Sequence, residues 1–310
     1  MKLVKAFLQL VRWPNLVFII LTQLLFEYCI YQRIYGPVGA EGLRQFYFLV
    51  IASVCIAAAG NIINDYFDLN IDQINKPQKV VVNVIINRRW VIFWHMVLSM
   101  TGLFFTAYAL PLSLYWHLVL ANMACVVLLW VYSTNLKKQL LVGNLLISFL
   151  TGWVILILFL SKYPLTIHQL MSTGAQDARF FRLTALYAGF AFIISLVREV
   201  VKDMEDVEGD RRYGCRTMPI AWGINASKVF VAVWLIVLIA SLALLQLYVI
   251  PLGWWHSALY CLLAIILPLL WIFRKLFKAQ TPADYHKLSS AIKYVMLAGI
   301  LSMVFFRIYP

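Results

Sequence analysis

Residues Gln45 to Asp72 read QFYFLVIASVCIAAAGNIINDYFDLNID, and both the structural and the chemical signals of the chain meet in this one stretch. No charged residue occurs from Gln45 to Asn64, and a helix of about 20 apolar residues crosses the hydrocarbon of a bilayer. The run then ends in Asn64-Asp65-Tyr66-Phe67-Asp68-Leu69-Asn70-Ile71-Asp72. A segment that is apolar over one bilayer thickness and then sets out three carboxylates predicts a transmembrane helix with a functional end.

Working outward, windows of the same length predict nine spans, near residues 14–32, 45–64, 90–110, 114–133, 141–161, 183–200, 226–248, 254–273 and 290–307. Hydrophobic residues make up 63% of the 310 and charged ones 13%, which leaves a soluble globule nowhere to put its apolar surface. The expected fold is therefore all-α, a polytopic membrane bundle of about nine transmembrane helices. The first span follows Lys2, Lys5 and Arg12 as a signal peptide would, but Tyr28-Cys29-Ile30-Tyr31 supplies no small-residue cleavage site, so it reads as a retained helix. With nine spans, the N-terminus and the connections after even-numbered spans share one side. That side has 20 basic residues against 6 on the other. The bias predicts an inner (plasma) membrane protein whose N-terminus and even-numbered connections are cytoplasmic.

The same distribution accounts for the net charge of +13 without nucleic acid, since the basic residues flank spans and form no single run or stripe. Cys29, Cys55, Cys125, Cys215 and Cys261 are scattered and odd in number, with no spacing suited to zinc or to a disulfide framework. His95, His117, His168, His256 and His286 are equally isolated.

Nine of the 13 acidic residues fall in two short stretches. The second reads Asp203-Met204-Glu205-Asp206-Val207-Glu208-Gly209-Asp210, with Glu199 just before it. Aspartates at i, i+3 and i+7 occur in both stretches, and Asp65, Asp68 and Asp72 each precede their counterpart by 138 residues. The chain thus reads as a single domain, 1–310, with an internal repeat of approximately 1–137 and 138–280. On a helix these positions share a face, so each cluster can aim three carboxylates into one space. Carboxylates so close repel unless a cation lies between them. All-oxygen ligands suit a hard cation, and magnesium takes one or two carboxylates, keeps waters and completes its shell with phosphate oxygens. Two acidic faces opposed across a cavity fit a diphosphate ester bridged by magnesium. The glycine and terminal glutamate of an EF-hand loop are missing.

Cations flank both clusters: Lys76 and Lys79 follow the first, while Arg198, Lys202, Arg211, Arg212 and Arg216 bracket the second. A third polar constellation, Tyr132-Ser133-Thr134-Asn135-Leu136-Lys137-Lys138 followed by Val142-Gly143-Asn144, can reach the same mouth. Arg12 and Asn15 open the first span. Aromatic residues, 15% of the chain, can wall a groove for an isoprenoid chain and stabilise a transient cation.

At Asn64-Asp65-x-x-Asp68-x-x-x-Asp72 and Asp203-x-x-Asp206-x-x-x-Asp210 the chain resembles the UbiA superfamily of intramembrane prenyltransferases, and the similarity runs over essentially its whole length. The resemblance implies nine helices in two pseudo-equivalent halves around a central cavity. It implies an allylic polyprenyl diphosphate held through Mg2+ and ionised to a carbocation, with transfer to an acceptor in the membrane. Asp65, Asp68, Asp72, Asp203, Asp206 and Asp210 are then metal ligands. Arg12, Asn15, Asn64, Lys76, Tyr132, Lys137, Asn144, Arg198 and Lys202 are the expected diphosphate contacts. Asn64, Asp68, Asp72, Lys202 and Asp206 form the expected catalytic set. Residues 198–211 are most similar to the archaeal-type digeranylgeranylglyceryl phosphate synthases, which implies a geranylgeranyl donor and a prenylated glycerol phosphate acceptor. The chain departs from pattern at Asn75-Lys76-Pro77-Gln78-Lys79-Val80, where relatives carry two arginine-proline pairs; lysine is a point charge where arginine is a fork. Rival readings keep the donor and change the acceptor to an aromatic ring, dispense with an acceptor as a terpene cyclase does, or make the acids a cation pathway in a transporter. A transporter would spread its carboxylates through the depth of the bilayer, and these sit at one side. The paired Asp-Gly and Ala-Arg elements of a CDP-alcohol phosphotransferase are absent.

Overall fold

The structure, a computed structural model, describes residues 2–163 and 174–309, apart from the side chain of Lys79; His168 lies outside the described residues. Among these residues there is no β-strand, and nine helices are long and apolar enough to cross a membrane. A short helix α1 (Lys2–Leu10) leads in. The spans follow as α2 (Trp13–Tyr35), α3 (Ala40–Asn75), α4 (Arg88–Ala109), α5 (Leu112–Thr134), α6 (Val142–Leu160) and α7 (Ala175–Glu205). Two small helices, α8 (Val207–Arg212) and α9 (Met218–Ala221), then precede the last spans, α10 (Ile224–Leu252), α11 (Trp255–Lys278) and α12 (Pro282–Ile308).

All nine expected spans are present, but α3 and α7 overrun their apolar windows by 11 and 5 residues. The overrun carries the first acidic cluster onto the last turns of α3. The second cluster corrects the expectation of one continuous helical face, because α7 stops at Glu205. Asp206 has left the helical region at φ −98°, ψ 9°, and Asp210 sits on the separate helix α8.

Apolar side chains divide between lipid and core. Leu244 and Leu247 on α10 are 67% and 70% exposed, which only a hydrocarbon surround makes favourable. One buried cluster joins α7, α10, α11 and α12, with Val200, Leu235, Leu269 and Ile292 fully enclosed. A second joins α2, α3, α6 and α7 around Phe26, Ile30 and Phe180. A third seats α1 on α3 and α4. Where helices approach closely, small residues permit it: a Cβ at Gly102 of α4 would lie 2.7 Å from Ile56 of α3. The packing runs α2, α4 and α5 around α3, and α6, α10 and α12 around α7, while α12 closes back onto α2.

Candidate active site

The clusters converge because α8 packs against the end of α3. Asn75, the last residue of α3, donates from Nδ2 to the Asp206 carbonyl at 3.1 Å and accepts at Oδ1 from the Gly209 N–H at 2.9 Å. Lys76, the next residue, donates to Asp206 Oδ2 at 2.6 Å. The segment after the first cluster thus grips the second. Burial pulls the Lys76 ammonium down, but the carboxylates of Asp206, Glu205 and Asp72 together outweigh it and hold the group above its ordinary value, so it stays charged.

Other expected residues fall around this junction. Arg12, at the break between α1 and α2 with a left-handed φ of 54°, donates to Asp65 at 2.6 Å. Lys137, on the 3-10 turn Leu136–Lys138 after α5, pairs with Asp68, which also accepts from Asn64 Nδ2 at 2.7 Å. Asn144, in the first turn of α6, donates to Asp203 at 2.8 Å. The Arg216 N–H donates to the Lys138 carbonyl at 2.7 Å, tying the loop after α8 to the loop after α5. Tyr132 lies beside Gly143, where a Cβ would be 3.1 Å from its ring and 2.8 Å from the Lys137 Cα. Arg198 and Lys202 both reach Glu199, at 3.3 and 2.9 Å. Asn15 instead meets Lys293 of α12, whose Nζ donates to its Oδ1 at 3.1 Å.

Three of the six cluster aspartates therefore have a cationic partner. Asp72, Asp203 and Asp210 have no ion pair among the described residues. Asp210, beyond the spans, is pushed up to about 7, by burial first and then by the Asp206 and Asp68 carboxylates. Its sensitivity to one carboxylate from each cluster is the electrostatic sign that the two clusters share a space.

The donor set was tested against a hard divalent cation. Among the described residues, no three His, Cys, Asp or Glu side chains converge closely enough to cage an ion unaided. Asp206 Oδ1 and Asn64 Oδ1, however, are buried with no hydrogen-bond partner. Unpaired buried oxygens are costly, and here both belong to residues of the acidic clusters or their motif. An ion held there by one or two carboxylates would take its remaining ligands from water and phosphate, as magnesium does. The residues fit.

Adjoining this polar end, α2, α6, α7 and α12 line an apolar, partly open cavity of about 80 Å³, walled by Phe18, Thr22, Tyr187, Phe190, Met296 and their neighbours. Asn15 lies one turn before Phe18, Arg198 one turn after Ile194, and Lys293 three residues before Met296, all on the side of the acidic clusters. These three form the rim between the polar and apolar compartments. Sequence reading missed Asn75, Gly209 and Lys293. Asn75 and Gly209 lie within the quoted motifs but carry no charge, and Lys293 was indistinguishable from a basic residue flanking a span.

Comparison with known proteins agrees with this architecture. The chain is 36% identical over 217 residues to a digeranylgeranylglyceryl phosphate synthase of Methanothermobacter thermautotrophicus, covering 68% of this chain and 67% of that relative. A solved digeranylgeranylglyceryl phosphate synthase structure superposes with a TM-score of 0.62 at 22% identity, covering 98% and 99% of the two chains. A UbiA homologue from Archaeoglobus fulgidus bound to GPP and Mg2+ superposes with a TM-score of 0.53 at 15% identity, covering 96% and 99%. The sequence pattern of the UbiA prenyltransferase family matches residues 28–297, nearly the whole bundle. The chain is an integral, multi-pass member of the UbiA prenyltransferase family.

Proposed function

We propose that this protein transfers a geranylgeranyl group from its diphosphate to a membrane-borne prenylated glycerol phosphate, with magnesium at the paired aspartate clusters. The observation that carries the reading is the junction itself, in which Lys76 and Asn75 from the first motif hold Asp206 and Gly209 of the second. The synthase relatives support the acceptor, and the magnesium and GPP in the Archaeoglobus homologue support the donor and metal.

In this reading Asp65, Asp68, Asp72, Asp203, Asp206 and Asp210 supply the oxygens for magnesium, which when bound lowers the cost of the negative charge developing on the leaving diphosphate. Asn64 orients Asp68. Arg12, Lys76, Tyr132, Lys137, Asn144 and Lys202 hold the diphosphate oxygens, Lys202 meeting the leaving group, while Asn15 and Arg198, also expected there from the sequence, stand at the rim on the cavity side. The allylic carbon–oxygen bond breaks to give a carbocation and diphosphate. The acceptor hydroxyl oxygen then forms the ether bond and releases its proton. The prenyl chain occupies the apolar cavity, where the rings of Phe18, Tyr187 and Phe190 face the cation and exclude water. The chain works as one domain of two repeated halves, about 1–137 and 138–280. Its acidic end faces the cytoplasm from an inner (plasma) membrane.

Protein in lipid nanodiscs, given magnesium, geranylgeranyl diphosphate and either geranylgeranylglyceryl phosphate or an aromatic acid, should yield an ether-linked product visible by mass spectrometry. A prenylated ring, or a hydrocarbon formed without acceptor, would overturn the acceptor and keep the donor site. Failure to consume the donor would overturn the whole reading.

A further inference from the structure

Lys293 is an ammonium on a transmembrane helix, half-buried, and among the described residues it pairs with no carboxylate. Its contacts are the Asn15 amide oxygen at 3.1 Å and the face of Phe18, 5.3 Å to the ring centroid. Its helix packs against α7, which carries Arg198, a charge of the same sign that acts on it. Arg198 in turn keeps Nε buried without a partner among the described residues, where its one ion pair is the 3.3 Å contact from Nη1 to Glu199. Charges within a membrane are expensive and persist where something compensates them. Arg12, Lys76 and Lys137 are each compensated by a cluster aspartate. Lys293 lacks that compensation and Arg198 keeps an orphaned donor beside its contact with Glu199, so an anion bound between them would satisfy both.

We propose that Lys293, with Arg198 and Asn15, is the seat of the acceptor's phosphate monoester, a site distinct from the magnesium-diphosphate site. The inference rests on the reading that the acceptor is a phosphorylated glycerol lipid, and it adds where that phosphate binds. Position supports it. The seat lies at the rim of the apolar cavity between α2 and α12, so an amphipathic phosphate can rest there with its chains in the bilayer. A phosphate dianion matches two cations and supplies acceptors for the free Arg198 N–H and the Lys293 ammonium. Anchored there, the acceptor hydroxyl is held beside the donor's allylic carbon, which places both reactants without using the donor's own cations.

The test compares wild type with Lys293→Met and Lys293→Arg in nanodiscs, using geranylgeranylglyceryl phosphate, its dephosphorylated alcohol, and inorganic phosphate as competitor. Lys293→Met should raise KM for the phosphorylated acceptor by about 10- to 100-fold, the loss of one charged hydrogen bond. It should leave KM for the donor within about 2-fold and erase the preference over the alcohol. Lys293→Arg should recover most of that preference, and inorganic phosphate at millimolar concentration should compete with the acceptor in wild type but not in Lys293→Met. If Lys293→Met does not fold, Lys293→Gln, which can still donate to Asn15, is read by the same criteria. An unchanged acceptor KM, an equal rise in donor KM, or competition by inorganic phosphate that survives Lys293→Met overturns the seat. If wild type makes the ether product and the variants behave as wild type, only this inference fails. If wild type prefers an uncharged or aromatic acceptor, the functional reading fails and takes the seat with it.

Discussion

Gly209 has no room for a methyl group: a Cβ there would lie 2.6 Å from both Cγ and Nδ2 of Asn75. Asn75 cannot retreat without losing its bonds to Asp206 and Gly209, so the glycine is required by close approach and not by its backbone angles. Gly209→Ala is expected to cost about 1–3 kcal/mol of stability, typical of overpacking, and to lower transfer at least about 10-fold by parting the two clusters. Thermal melts and transfer rates in nanodiscs would check both. Because Asn75→Ala removes the same clamp, the double variant should be little worse than either single one; additive losses would show that the two residues act separately. Cys215, in the loop after α8, makes a prediction of the opposite kind. It is 4% exposed, and burial, reinforced by Asp210, pushes its thiol up to about 11. The thiolate is the reactive form, so alkylation of Cys215 by iodoacetamide at pH 7.5 should be far slower than that of a free thiol, and should accelerate only as pH nears 11. Rapid labelling at neutral pH, detected by peptide mass spectrometry, would contradict the burial.

At the scale of elements, the active end depends on helices and turns that extend beyond the membrane windows. Gly143 in the first turn of α6 lets that helix start against the 3-10 turn holding Lys137; a Cβ would lie 2.8 Å from the Lys137 Cα and 3.0 Å from the Leu136 carbonyl oxygen. These are backbone atoms and cannot rotate aside. Gly143→Ala should therefore displace Lys137 from Asp68 and lower turnover about 10-fold or more, while leaving helix content by circular dichroism unchanged. Normal turnover in the folded variant would show that Lys137 is not needed where it sits. The nine spans and both clusters were legible in the sequence, since apolar length and acid spacing are local properties. The extensions of α3 and α7 were not, because hydropathy stops at Asn64 and Val200 while the helices are carried on by partners from elsewhere, Arg12 on Asp65 and Asn144 on Asp203. The break at Asp206 escaped a periodic reading for the same reason. Its carbonyl and carboxylate are held by Asn75 and Lys76, 131 and 130 residues away in sequence. Lys293 was illegible too: only the structure places its ammonium against Asn15 and the Phe18 ring rather than in water.

Among the described residues, an odd number of spans separates Lys2 from Tyr309, and the contacts agree with that arithmetic. Arg12 at the start of α2 touches Asp65 near the end of α3, whereas Tyr309 beyond α12 stacks on Trp254, between α10 and α11, and accepts at its hydroxyl from the N–H of His256 at the start of α11. The N-terminal end and both acidic clusters therefore share one end of the bundle, and Tyr309 lies at the other. In the proposed orientation, which the basic residues favour 20 to 6, the cytoplasm lies at the acidic end, where a water-soluble magnesium complex and the leaving diphosphate would exchange. A reporter that fluoresces only in the cytoplasm should be active when fused before Lys2 and inactive after Tyr309, and a periplasmic phosphatase fusion should show the reverse. Cysteines introduced at Glu208 and at Tyr248, both exposed, should label from opposite sides of sealed vesicles. The reverse pattern would place the acidic end outside, against the charge bias, and would require the donor to reach its site from the far side of the membrane.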